Sequence, residues 1–293
     1  MVIIKSSQLE AHLHPKGAEI HKIIGLSDGM NYMWRRDPVL WANSAPILFP
    51  IVGKVVNDTY RVDGKEYHLT QHGFARHNEF EIAEQGDDFV VFTLDYTNFL
   101  DVYPYKFRLT VTYKVEGLVL TCHCKVENLD TKEIYFGIGG HPAFACPMYE
   151  NESANDYYIE FEKEETLDRH MINTAVSLFN GQTQPLFDHE KKFMVRQATF
   201  KDDAVIVHDF KSSWVALRSL NHNRAIKFHM NNWKWLGIWA SKHVGGLIAI
   251  EPWNGHTDVE GFTGEYKEKE GLINLPVDST FECEFNVEVI EGM

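Results

Sequence analysis

The chain predicts an all-β protein, a large antiparallel sandwich or closed barrel formed as a single domain over residues 1–293. Hydrophobicity alternates with period two along several stretches, the signature of strands with one buried face. No long segment repeats apolar residues at i, i+3, i+4 and i+7, so helices are scarce. Linkers rich in Pro, Gly or Ser, low-complexity tracts and internal repeats are absent, which argues for one domain. With 44% hydrophobic and 13% aromatic residues the chain can build a sizeable core.

Taken in order, residues 20–26 read as a strand. Residues 59–62 and 65–69 flank Asp63-Gly64, a hairpin signal. Residues 89–96 form a further strand. Phe107, Leu109, Val111, Tyr113 and Val115 alternate with polar neighbours, Glu116-Gly117 reads as a turn, and Leu118 to Val126 alternate again. The apolar run 134–138 leads as a strand into Gly139-Gly140-His141-Pro142. Strands are also expected over 204–207, 214–220, 225–230, 247–250 and 281–289, and loops over 148–156 and 180–192.

The formal charge of −14 disfavours nucleic acid and anionic membrane as partners. No apolar run approaches the roughly 18 residues of a membrane span, and residues 1–10 lack the pattern of a signal peptide. Four cysteines without framework spacing suggest a reduced, cytoplasmic protein. Cys122, Cys124 and Cys283 fall on apolar strand faces as small core residues.

Three stretches combine functional side chains with a constrained backbone. Gln71-His72-Gly73-Phe74-Ala75-Arg76-His77 offers imidazoles and a guanidinium whose planar donors suit hydroxyl or carboxylate recognition. His141 lies between a glycine pair and a proline that biases it towards extended geometry. Glu251 stands at the end of an apolar strand that Pro252 is expected to stop. A carboxylate so placed is partly desolvated and its basicity rises. Bland roles stay open: a carbonyl cap for His141, an ion pair for Arg76, solvated rings for His72 and His77, a surface strand end for Glu251. His72, His77, His141 and Glu251 could also supply metal ligands, but no recognised ligand spacing is present. Nucleophile-elbow, Walker and dinucleotide motifs are absent.

The motifs Trp34-Arg35-Arg36-Asp37-Pro38 with Trp41, Ala45-Pro46-Ile47-Leu48-Phe49-Pro50-Ile51-Val52-Gly53, His72-Gly73-Phe74-Ala75-Arg76, Gly139-Gly140-His141-Pro142-Ala143-Phe144 and Glu251-Pro252-Trp253 occur in one order. In that order the chain resembles the aldose 1-epimerase family, the galactose mutarotases, and its shorter bacterial branch in particular. The resemblance implies a single antiparallel β-supersandwich. It implies interconversion of the α and β anomers of a free aldose without cofactor or metal. Glu251 matches the family's general base and His141 its general acid. His72 and Arg76 match sugar-binding positions. Asp209, after an apolar strand, is the candidate for the family's sugar-binding aspartate. Trp34 and Trp253 are candidates for the sugar's apolar face. Lys54 stands where many members carry arginine, which bears on specificity. A further branch resembles hexose-6-phosphate mutarotases, for which Arg35, Arg36, Lys54 and Arg76 are the available cations. A non-catalytic carbohydrate-binding or regulatory protein of the same fold is the other alternative. The implied partner is a small-molecule sugar, and the chain is expected as a monomer or homodimer.

Overall fold

The computed structural model describes residues 1–241 and 245–292. The alternation in the sequence builds the larger of two main sheets. Phe107–Glu116 and Val119–Asn128 bury every second residue, and Thr280–Ile290 pairs with the latter so that Cys124 faces Cys283. Their apolar side chains thus share one face, as a period of two requires. The full sheet has nine antiparallel strands. Their order is Leu178–Met194, Tyr157–Asn173, Trp214–Ser219, Ala225–Asn231, Thr280–Ile290, Val119–Asn128, Phe107–Glu116, Phe89–Asp95 and Glu81–Gln85.

Two local expectations shift. The turn between Phe107–Glu116 and Val119–Asn128 is Gly117-Leu118, one residue later than expected, because Glu116 pairs with Val119. Residues 180–192 are not a loop: they belong to the outermost strand Leu178–Met194, which is exposed along most of its length. Asp63 and Gly64 do form the expected two-residue turn, both with positive φ (52° and 75°), as the favoured hairpin geometry demands.

The second main sheet runs Val205–His208, Trp235–Trp239, Gly246–Asn254, Ile138–Gly140 and Ile47–Leu48, with Ala143–Cys146 also on Gly246–Asn254. The apolar run 134–138 divides between sheets: Ile134–Phe136 pairs with Ile273–Leu275, and Ile138–Gly140 crosses into the six-stranded sheet. Along Gly246–Asn254 the even residues Ile248 and Ile250 enter the main core. Phe144 reaches across to Phe228 at 6.3 Å, and the Phe285 ring lies beneath Gly140. Each such buried side chain contributes about 2 kcal/mol of hydrophobic stabilisation. The odd residues Ala249, Glu251 and Trp253 therefore point the other way, off the outer face of this sheet. That division places the site.

Candidate active site

The strand Gly246–Asn254 does not stop at Pro252; it continues to Asn254, with residues 249–253 paired to Trp235–Trp239 across the proline. The proline is tolerated for a geometric reason. Ile250 N–H donates to the Pro142 carbonyl at 3.0 Å, so two residues on the backbone at 252 faces the same side. On that side the neighbouring chain bends at His141-Pro142, between Ile138–Gly140 and Ala143–Cys146, and the missing N–H of Pro252 lies toward this bend. The bend sets His141 against Glu251.

His141 Nε2 lies 3.3 Å from Glu251 Oε2. Both side chains are buried, and they line one cavity of ≈ 360 Å³, within the range of small-molecule sites. Burial pushes the Glu251 carboxyl well above its ordinary range, and the Asp203 charge adds to this; the Arg76 charge partly offsets it. Burial pushes His141 down to about 3, with the Arg76 charge acting in the same direction. The free pair therefore rests with its proton on the carboxyl.

The other cavity residues come from loops and neighbouring strands. Gly53 N–H donates to His72 Nδ1 at 3.1 Å, while His72 N–H donates back to the Gly53 carbonyl at 2.8 Å. His72 Nδ1 is thus an acceptor, and the neutral ring carries its proton on Nε2 as a fixed donor. Burial holds it neutral, helped by the neighbouring His141 and Arg76. Gly53 has φ 71°, and a Cβ there would lie 2.5 Å from Thr257 Cβ, so this doubly bonded position requires glycine. Arg76 lines the same cavity, under Coulombic attraction from Glu19 and Glu251.

Trp253 lies across its own sheet. A Cβ on Gly139 would meet its Cδ1 at 2.7 Å, and one on Gly237 would meet its Cη2 at 2.5 Å. Two glycines on the flanking strands therefore open the slot that the indole fills. Its Nε1 is buried without a hydrogen-bond partner among the described residues.

Six sequence candidates stand elsewhere. Trp34 is fully buried behind the site with Ala143, Leu247 and Ala249, its Nε1 donating to the Trp41 carbonyl at 2.8 Å; it supports the wall and does not line the cavity. Asp209 is exposed beside His208 at 2.9 Å, at the far end of strand Val205–His208; the aspartate brought to the cavity is Asp203, before that strand. Lys54 turns away to Asp58 at 3.6 Å, and Arg35 turns to Asp37 at 3.2 Å. Arg36 hydrogen-bonds His21 at 2.9 Å. Among the described residues Arg76 is the cation lining the cavity. His77 is exposed on the turn Ala75–His77, and no group of three or more described His, Cys, Asp or Glu side chains is placed to hold a metal ion.

Comparison with known proteins fits this geometry. The family model for aldose 1-epimerase matches residues 1–271. The chain belongs to the aldose 1-epimerase family. It is 32% identical over 260 residues to the chromosomal protein LacX of Lactococcus lactis subsp. lactis, covering 86% of this chain and 87% of that protein. Among solved structures, a galactose mutarotase related enzyme from Lactobacillus acidophilus superposes with TM-score 0.94 at 28% identity, covering 99% and 97% of the two chains. A galactose mutarotase-like protein from Lactobacillus casei gives 0.92 at 29% identity, covering 99% and 100%. In this member of the family the cavity is also lined by residues that the sequence does not single out as a site, among them Trp41, Asp203, Ile206, Trp239 and Thr257. Trp41 was visible inside a family motif; Trp239 and Ile206 carry no local signal, since each is one more apolar residue in a strand.

Proposed function

We propose that the protein is a mutarotase that interconverts the anomers of a free, unphosphorylated aldose. The observation that carries this reading is the 3.3 Å approach of His141 Nε2 to Glu251 Oε2 inside a cavity also lined by His72 and Arg76. Glu251 as carboxylate takes the proton of the anomeric hydroxyl while His141 as imidazolium gives its Nε2 proton to the ring oxygen. The C1–O5 bond breaks and the open aldehyde forms. Rotation about C1–C2 presents the other face of the carbonyl. Closure runs the same transfers backwards: the C5 hydroxyl returns its proton to His141 and the carbonyl oxygen takes one from Glu251.

One proton serves the pair throughout. The reactive state differs from the resting one only in which partner of the pair holds that proton. His72 Nε2–H and the Arg76 guanidinium supply fixed donors for sugar oxygens, and Asp203 supplies an acceptor. The charges favour a neutral sugar: Asp203 adds negative charge, and Lys54, Arg35 and Arg36 are engaged elsewhere.

Two-dimensional exchange NMR between α and β anomeric protons tests this across a panel of aldoses and glucose 6-phosphate. Enhanced exchange for a free sugar is expected, falling at least about 10²-fold in Glu251→Gln and in His141→Asn. Equal rates in wild type and both variants, or enhancement only for the phosphate, would refute it.

A further inference from the structure

Catalytic histidines are commonly held in one tautomer and orientation by a hydrogen bond at the second ring nitrogen. No other described residue gives His141 that support: its Nδ1 is buried without a hydrogen-bond partner, and the ring's one backbone contact is with its own residue. Rings hold it instead. The Trp41 indole lies over the imidazole with centroids 4.6 Å apart and planes 30° from parallel. His72 and Trp239 meet it edge-on, at 5.7 Å and 81° and at 6.1 Å and 79°. Of the three, Trp41 has the closest centroid and is the one whose plane lies nearest to parallel with the imidazole.

Trp41 is itself fixed from behind. Its N–H donates to the Asp37 carbonyl at 2.8 Å, its carbonyl accepts from buried Trp34 Nε1 at 2.8 Å, and its ring meets Trp239 edge-on at 5.9 Å. The short turn 37–41 thus carries a rigid indole to the cavity wall. An indole face attracts a cation through its quadrupole, and this attraction is strongest where water is excluded. The ring that stabilises an imidazolium here also fixes its plane, and so the line from Nε2 into the cavity.

We propose that Trp41 is the positioning residue for the general acid: its indole face sets the His141 ring plane and favours the imidazolium over the neutral ring. The catalytic consequence rests on the mutarotase reading; the structural claim does not. Trp41→Leu removes the π-face and keeps an apolar wall, and Trp41→Phe keeps a face. Three quantities are measured: kcat and KM for anomer exchange, affinity for a 1,5-anhydro sugar alcohol that lacks the anomeric hydroxyl, and the ring ¹⁵N and ¹³C NMR signals of His141. In Trp41→Leu, kcat is expected to fall about 10- to 30-fold, the loss of a desolvated cation–π contact. Affinity for the anhydro sugar is expected to hold within about threefold and Trp41→Phe to recover most of kcat. Unchanged kcat in Trp41→Leu overturns the proposal. So does lost affinity with kcat intact, which would make Trp41 a sugar wall only, and so does an equal kcat loss in Trp41→Phe. Trp41→Met is the second aliphatic variant where leucine costs the fold. If the wild type accelerates exchange of no aldose, the mutarotase reading fails and the NMR arm still decides the structural claim. One ordered His141 ring state in wild type and Trp41→Phe but averaging in Trp41→Leu supports it; identical spectra in all three overturn it.

Discussion

Removing either partner of the His141–Glu251 pair should change how folding stability depends on pH, with opposite signs. In an unfolded chain the carboxyl titrates near 4.5 and the imidazole near 6.5, whereas folding moves the first well up and the second down to about 3. Between pH 4.5 and 6.5 the unfolded wild type holds one proton on the pair, at His141. The folded protein also holds one, at Glu251. Proton counts match, so the pair contributes no slope in this window.

Glu251→Gln leaves only the histidine. Unfolding then takes up one proton, stability rises with pH at about 1.4 kcal/mol per unit, and about 2–3 kcal/mol is lost on going from pH 6.5 to 4.5. His141→Asn leaves only the carboxyl. Unfolding then releases a proton, and stability falls as pH rises through the same window. Other buried titrating groups, such as His256, held at about 3 by burial and the Lys269 charge, contribute alike to all three proteins and cancel in the differences. Urea unfolding of wild type and both variants across this window provides the assay. Opposite slopes relative to wild type are expected. Parallel profiles in the three proteins would refute the resting protonation assigned to the pair.

The same protonation order shapes catalysis. On the proposed mechanism the reactive state needs ionised Glu251 and protonated His141, the reverse of their resting preference, so kcat/KM should be flat between an acid limb near 3 set by His141 and an alkaline limb set by the raised Glu251. A rate that titrates with a midpoint near 6.5 would contradict this. Asp203→Asn removes an anionic neighbour of Glu251 and should move the alkaline limb down, whereas Asp209→Asn, on an exposed side chain outside the cavity, should leave the profile unchanged; pH–rate profiles of the two variants separate them. Gly237→Ala would press a methyl group into the Trp253 indole, 2.5 Å from Cη2, and should cost about 1–3 kcal/mol of stability together with activity. Thermal unfolding and exchange rates equal to wild type would show that the slot is not tight.

How much of this was legible in the chain depended on which faces water reaches. Phe107–Glu116 and Thr280–Ile290 announce themselves because one face is wet and one dry, so apolar and polar residues alternate. Leu178–Met194 hides because an edge strand exposed along most of its length needs little alternation, and its sequence reads as loop. Trp235–Trp239 hides for the opposite reason: four of its five residues are buried, and continuous burial erases the period. The functional residues divide in a similar way. His72, His141 and Glu251 stand out because glycine and proline beside them mark unusual backbone, and the chemistry needs those side chains. Asp203 and Trp41 enter the cavity only because strand order sets their neighbours. Glu251 pairs with Gly237, and Gly237 with Ile206, so a residue missing its side chain joins the base to the strand that Asp203 precedes. A local reading weighs Asp203 and Asp209 equally, since each flanks the strand Val205–His208. Only the register against Trp235–Trp239 decides between them: the His208 end pairs with Trp235, while the opposite end runs toward Trp239 and the ring of His141. The proposed acid and base can be read from chemistry, but the groups that tune them follow from topology.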